Sequence, residues 1–266
     1  MFYRNRKYSP VDLSAFVAVI TFAATVIALL ILSSTGSQVC AAEPVLFSAQ
    51  YEVSKGIMSI GHTTRSLEKL EDGNYKFESL SKPGGVAKLF TSGKVRETSI
   101  WKWDNANFVP VNYRYKNSSS ANRDVILTFD WEKHEVTNSI NGDPWTMPIE
   151  PGTLDKLLFQ MKIMHDLQQG HTTFSYPVAD GGKLKTYDIS VTGEKIVKMD
   201  IGTFNTVVVE YKKNDRTTKM WCAKELNFLP VRIEQQKDDG GSVTADLIKL
   251  SGIVIPESAK PKPDKK

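Results

Sequence analysis

Four histidines (His62, His134, His165 and His171) and two cysteines (Cys40 and Cys222) are the side chains with which this chain would hold zinc or carry a nucleophile. A zinc site needs three or four such groups converging on one point. None of them pairs with another at ligand spacing, and His165 and His171 straddle the expected end of a helix. Cys222 has no histidine near it in sequence to draw off its proton. It stands beside Trp221 at the end of an apolar strand, the setting of a small buried hydrophobe rather than a reactive thiolate. No glycine-rich phosphate loop, nucleophile elbow or paired-cysteine motif occurs. The acidic residues fall mostly on polar strand faces or in turns, where solvation accounts for them. The sequence therefore points to no catalytic residue, no metal site and no cofactor.

The apolar inventory carries more. From Thr153 to Gln169 the spacing turns helical: Leu154, Leu157, Leu158, Met161, Met164 or His165, and then Leu167 lie along one face. Thr153 is placed to cap this helix, Asp155 to sit in its positively polarised first turn, and Gly170 to close it. A helix of this length, about 25 Å, can cross a curled sheet. Five tryptophans, at positions 101, 103, 131, 145 and 221, lie in or near expected strands. Leu154, Leu157, Leu158 and Met161, with Trp131 and Trp221, are the candidate lining of an apolar ligand cavity between helix and sheet. Flexible methionine suits such a wall. The same stripe would equally serve as plain core.

Elsewhere the pattern has period two. Val109, Val111, Tyr113 and Tyr115 alternate with polar neighbours, as do Val125, Leu127, Phe129 and Trp131, and Tyr187, Ile189 and Val191. Turn chemistry separates such runs at Asp72-Gly73-Asn74, Asn141-Gly142-Asp143-Pro144, Asp180-Gly181-Gly182 and Asp238-Asp239-Gly240-Gly241. Strands buried on one face, following one another without helices, form antiparallel sheet. The fold class expected is mainly β: a strongly curved antiparallel sheet or open barrel, covered by one central amphipathic helix.

Residues 15–32 are eighteen uncharged residues, with Arg4, Arg6 and Lys7 before them and a small-residue stretch to Ala42 behind. That is the layout of a secretory signal peptide. It divides the chain into residues 1–42 as the export segment, 43–255 as a single β-rich domain, and 256–266 as a disordered tail with three prolines. Left uncut, residues 15–32 are near the lower limit for spanning a bilayer and would tether the protein to the inner membrane. Residues 1–42 hold three bases and one acid, so the net charge of +4 falls to +2 on processing. Such a body offers no polybasic surface for nucleic acid. The compartment expected is the periplasm.

Gly202-Thr203-Phe204 opens a β-branched strand. Trp221-Cys222-Ala223 follows, and then Leu229-Pro230-Val231-Arg232. This succession, with Gly202, Trp221, Leu229, Pro230 and Arg232 as its marks, resembles the bacterial exported family catalogued as domain of unknown function 3108. The likeness extends over about residues 45–250 and implies a fold and a compartment, with no catalytic residue to carry over. The expectation is a non-enzymatic periplasmic protein of envelope biogenesis, binding a lipid or a lipidated envelope protein. A solid-core interaction module is the alternative, followed by an envelope glycan or lipid hydrolase, which would need two carboxylates about 5–9 Å apart.

Overall fold

A computed structural model describes residues 43–89, 93–119 and 123–261; the export segment expected at residues 1–42 and the end of the tail lie outside these residues. The chain runs β1 (Phe47–Lys55), β2 (Met58–Lys69), β3 (Tyr75–Pro83), β4 (Val95–Asp104), β5 (Asn107–Asn117), β6 (Arg123–Asp130), β7 (Glu135–Ile140), β8 (Asp143–Pro148) and β9 (Leu154–Asp155). After α1 (Phe159–Gln168) come β10 (Thr173–Asp180), β11 (Lys183–Met199), β12 (Gly202–Lys213), β13 (Arg216–Ala223), β14 (Leu229–Lys237) and β15 (Ser242–Ser251).

All fifteen strands form one sheet in the order β8-β7-β6-β5-β4-β3-β2-β1-β15-β14-β13-β12-β11-β10-β9. The chain begins in the middle of this sheet, walks outward to one edge, crosses to the other and walks back until β15 pairs with β1. Every ladder is antiparallel except the two-residue pairing of β9 with β10. The edges, β8 and β9, are consecutive in sequence and do not pair, so the sheet curls without closing. One hydrophobic core joins residues of both halves: Tyr51, Leu67, Phe77, Trp101, Leu127 and Phe204 are all buried.

The helix sits on the concave side, because it touches strands from both halves. His165 meets Trp103 and Phe108 edge-on, at 5.4 and 5.7 Å between ring centres. Phe159 meets Tyr187 and Tyr211 in the same manner at 5.0 and 5.6 Å. It is shorter than the periodicity implies, ten residues in place of seventeen. Leu154 and Asp155 pair with Val178 and Ala179 as a strand, and the Thr153 hydroxyl donates to the Glu150 carbonyl rather than capping a helix. The Asp155 carboxylate instead holds the turn that leads into the helix, accepting the Leu157 and Leu158 amides at 2.8 Å each, and the N-cap position, Leu158, has no side-chain cap bond. Gly170, at φ +81°, ends the helix as expected.

Three further expectations change. Asp143-Pro144 is not a turn: the turn is Asn141-Gly142, both at positive φ, and β8 starts directly after it. Pro144 and Pro148 are tolerated there because β8 is an edge strand. In β5 the alternation breaks at Val111, which a register shift leaves without a partner on β4; Phe108 and Pro110 are buried before it and Tyr113 after it. The start of the tail has a defined place, since Ala259 is buried and its carbonyl accepts the Thr203 amide. A Cβ on Gly202 would lie 2.7 Å from that carbonyl oxygen, so only glycine lets the tail approach β12.

Candidate functional site

Two spaces flank the helix inside the curl. The first lies beyond its C-terminal half, where Met161, Met164, His165 and Gln168 share one face. Trp103 and Phe108 from the sheet, with Val45 and Ile253, enclose about 150 Å³. That is the size of a cavity that holds a benzene ring, well short of a whole acyl chain. Burial, with a smaller contribution from Lys162, lowers the pKa of His165 here.

The second space is larger, about 440 Å³, and opposite in character. Its floor is the first turn of the helix, with Phe159 and Gln160, and its walls are the inward positions near the turn ends of the strands. Four cations reach it, Arg65, Lys156, Lys213 and Arg216, against the carboxylates of Glu97 and Asp215. Glu97 is engaged: it accepts the Tyr113 hydroxyl at 2.7 Å and lies 3.5 Å from the Lys156 ammonium, which rides 5.3 Å above the Tyr115 ring. Lys213 pairs with Asp180, which Lys185 also reaches at 2.9 Å and the Tyr187 hydroxyl at 3.1 Å. Burial alone would raise the Asp180 carboxyl, but the two ammonium groups outweigh it and hold it at about 2. Burial in turn lowers the Lys213 ammonium, against the pull of Asp180.

Arg65 differs from these. Its Nη1 donates to Gln160 Oε1 at 2.8 Å and its guanidinium stands 5.6 Å above the Tyr51 ring. Its Nε is buried with no hydrogen-bond partner, and among the described residues no carboxylate pairs with it. A guanidinium drawn inside a sheet without a counter-ion is costly unless water or an anion completes its hydrogen bonds, and an anion also balances its charge. Planar guanidinium and neighbouring ammonium groups are the donors that hold carboxylate or phosphate oxygens.

The residues named from sequence scatter across this arrangement. Leu154, Leu157 and Leu158 are fully packed core, and of the apolar lining only Met161 borders a cavity. Trp131 stacks on Phe129 and donates its Nε1 hydrogen to the Pro110 carbonyl at 2.7 Å. Trp221 lies on the outer face, because Met220 and Cys222 on either side of it point inward and are buried. Cys222 is the small buried hydrophobe expected, and burial pushes its thiol pKa up. The helix thus does not roof an acyl-sized apolar cleft. The expectation that acids and bases on strands are solvated passes over the polar site. Parity held the signal: Arg65 shares the face of Leu67, Glu97 that of Trp101, and Lys213 that of Val209 and Tyr211.

In the Gly202 to Arg232 stretch, Leu229 and Pro230 are buried, and the Pro230 carbonyl accepts the Tyr51 hydroxyl at 2.8 Å. Arg232 clasps Asp246 across β14 and β15 with two bonds, at 2.5 and 2.9 Å. A family model described as "Protein of unknown function (DUF3108)" matches residues 50–248. The chain belongs to that family. Strands β2 to β14, the helix and the whole polar site fall inside the matched range. In fold, the DUF3108 chain is similar to a β-barrel-like protein of domain of unknown function DUF1849 from Brucella abortus, known from a crystal structure. The TM-score is 0.57 at 13% identity, over 78% of this chain and 97% of that one. No curated protein matches the chain.

Proposed function

We propose that this DUF3108 protein is a non-enzymatic binding protein of the bacterial envelope, exported to the periplasm, that takes a compact anionic ligand into the polar mouth of its curled sheet. The observation that carries the reading is Arg65, whose guanidinium lines this cavity with no carboxylate paired to it among the described residues. Lys156, Lys213 and Arg216 add positive charge around the same space. Glu97 and Asp180 are already engaged by tyrosine and lysine, which fits a binding role better than proton transfer. The ligand class is a carboxylate or phosphate on a small polar body, with Tyr187 and Tyr211 as the flat wall beside it.

Calorimetric titration with inorganic phosphate and with glucose 6-phosphate tests this. Both are expected to bind, more weakly as salt rises, and Arg65→Ala is expected to weaken them about 10- to 100-fold, the worth of a lost charged hydrogen bond. Lys156→Ala, which spares the contact with Tyr51, should weaken them less. Uncharged glucose binding as tightly, or Arg65→Ala binding within about twofold of the parent, would sink the proposal.

A second reading rests on the apolar cavity beside Met161. There Val45 and Ile253 line the wall, and their neighbours Leu46 and Val254 are exposed. A short apolar group of a lipid or lipidated partner would fit it. Mass spectrometry of the protein from a bacterial host, native and then after organic extraction, separates the readings: a stoichiometric lipid favours the second, a lipid-free protein rejects it.

A further inference from the structure

In an antiparallel meander alternate turns share one end. The strand ends that lead into and out of the β1–β2, β3–β4, β5–β6, β7–β8, β10–β11, β12–β13 and β14–β15 connections therefore all lie around the mouth. The pairings Lys55 with Met58 and Arg216 with Lys237 put these hairpin tips at its rim, and register carries the ring through Pro83 and Asn117.

The β1–β2 tip has an unusual composition for a turn. Gly56, at φ +58°, supplies the positive angle that a two-residue hairpin needs, with open space around it. The next two residues are Ile57, fully exposed at 103%, and Met58 at 54%. Neither is buried, and at the second turn position polar residues such as asparagine are more usual than a branched hydrophobe like Ile57. Leu184, at the β10–β11 tip, is exposed at the same end. Around them stand Lys55, Lys82, Lys94, Arg123, Lys183 and Lys237, all exposed and without an ion pair among the described residues. The acids of the same rim are Asp124, Asp143, Asp180, Asp215, Asp238 and Asp239; Asp124 is paired with Arg114, Asp180 with Lys185 and Lys213, and Asp238 with Lys212 at 3.1 Å, while Asp215 lies 3.9 Å from Arg216.

We propose that this end of the protein docks on an anionic lipid bilayer, with Ile57 and Met58 entering the headgroup layer and the rim lysines meeting lipid phosphates. A protruding tip of two apolar side chains ringed by cations suits a bilayer, which yields to a convex wedge and repays each basic residue near its surface. It suits a protein partner less, because a stable interface needs a broad matched area of at least about 1,200 Å². The inference stands on the rim residues and is separable from the ligand of the cavity.

The full chain carrying Cys40→Ser and Met58→Cys, labelled at position 58 with an environment-sensitive nitrobenzoxadiazole dye, tests it. Cys222 is buried and stays unlabelled. Vesicles of phosphatidylcholine with about a quarter phosphatidylglycerol should raise the emission at least about twofold and shift it to the blue. Pure phosphatidylcholine, or salt of about 0.5 M, should abolish the response. The same dye on Val254→Cys, at the opposite end, should not respond. Lys55→Glu with Lys237→Glu should raise the lipid concentration for half-response at least about tenfold, while phosphate titration of that variant stays unchanged. A silent label at position 58, or an equal response at position 254, overturns the proposal without touching the cavity reading.

Discussion

Asp180→Ala is expected to cost about 3 kcal/mol of folding stability at neutral pH, because it strands two partly buried ammonium groups. The Asp180 side chain is only 9% exposed, and Lys213 and Lys185 are 25% and 33% exposed. Removing the carboxylate leaves both lysines facing each other, and the Tyr187 hydroxyl loses its acceptor. The sign of the pH effect follows from the low carboxyl pKa. Held at about 2 when folded, against an ordinary aspartate value near 3.8, Asp180 contributes stability that is complete above about pH 4. That contribution is lost as pH falls toward 2 and amounts to about 2 kcal/mol. Urea unfolding of parent and variant at neutral pH and at about pH 2 measures both effects. The parent should approach the variant in acid; an Asp180→Ala protein as stable as its parent at neutral pH would refute the buried-pair account.

Asp155 should behave in the opposite way. It is completely buried, and its carboxylate accepts the Ser99 hydroxyl at 2.5 Å and the amides of Leu157 and Leu158. Burial nevertheless dominates these bonds and raises its pKa to about 6. With the folded value above the unfolded one, the native state favours the protonated acid. Stability should then rise by about 2–3 kcal/mol as pH falls from about 6 to about 4. Asparagine keeps the geometry: its carbonyl can accept both amides while its NH2 donates to the Ser99 oxygen. Asp155→Asn is therefore expected to be about 1–2 kcal/mol more stable than the parent at neutral pH and to lose the slope between pH 4 and 6. Asp155→Ala leaves two buried amides and a hydroxyl unanswered and should cost about 2–4 kcal/mol. Denaturant melts across that pH range decide it; a parent whose stability is flat from pH 6 to 4 would mean that Asp155 is not strained by burial.

These carboxylates also show how far the sequence could be read. Asp155 was legible as a residue of the helix start and Asp180 as a turn residue, since aspartate favours both settings. Their burial was not legible, because it depends on the helix being enclosed by strands far away in the chain. Met161 reads the same from either side: one methionine of a helical stripe faces a cavity while Leu157 and Leu158 face solid core. Spacing alone assigns all three to one face.

What the sequence determined by itself was the period. Alternation of apolar and polar residues, broken by Asn-Gly and Gly-Gly turns, specifies strands that bury one face, and neighbours joined by short turns must pair antiparallel. The curved sheet with a single helix follows from that local chemistry. Exposed β8 escaped it because its two prolines are tolerated only at an edge, and whether a strand is an edge is a property of the whole sheet. The tertiary structure decided what the inward face contains. Once β1 pairs with β15 and the sheet curls, Arg65, Glu97 and Lys213, separated by up to about 150 residues along the chain, converge on one volume. Parity puts each of them inside, but only curvature makes three inward charges a site. Convergence across distant strands is set by ladder register and sheet twist, which no local stretch of the chain encodes.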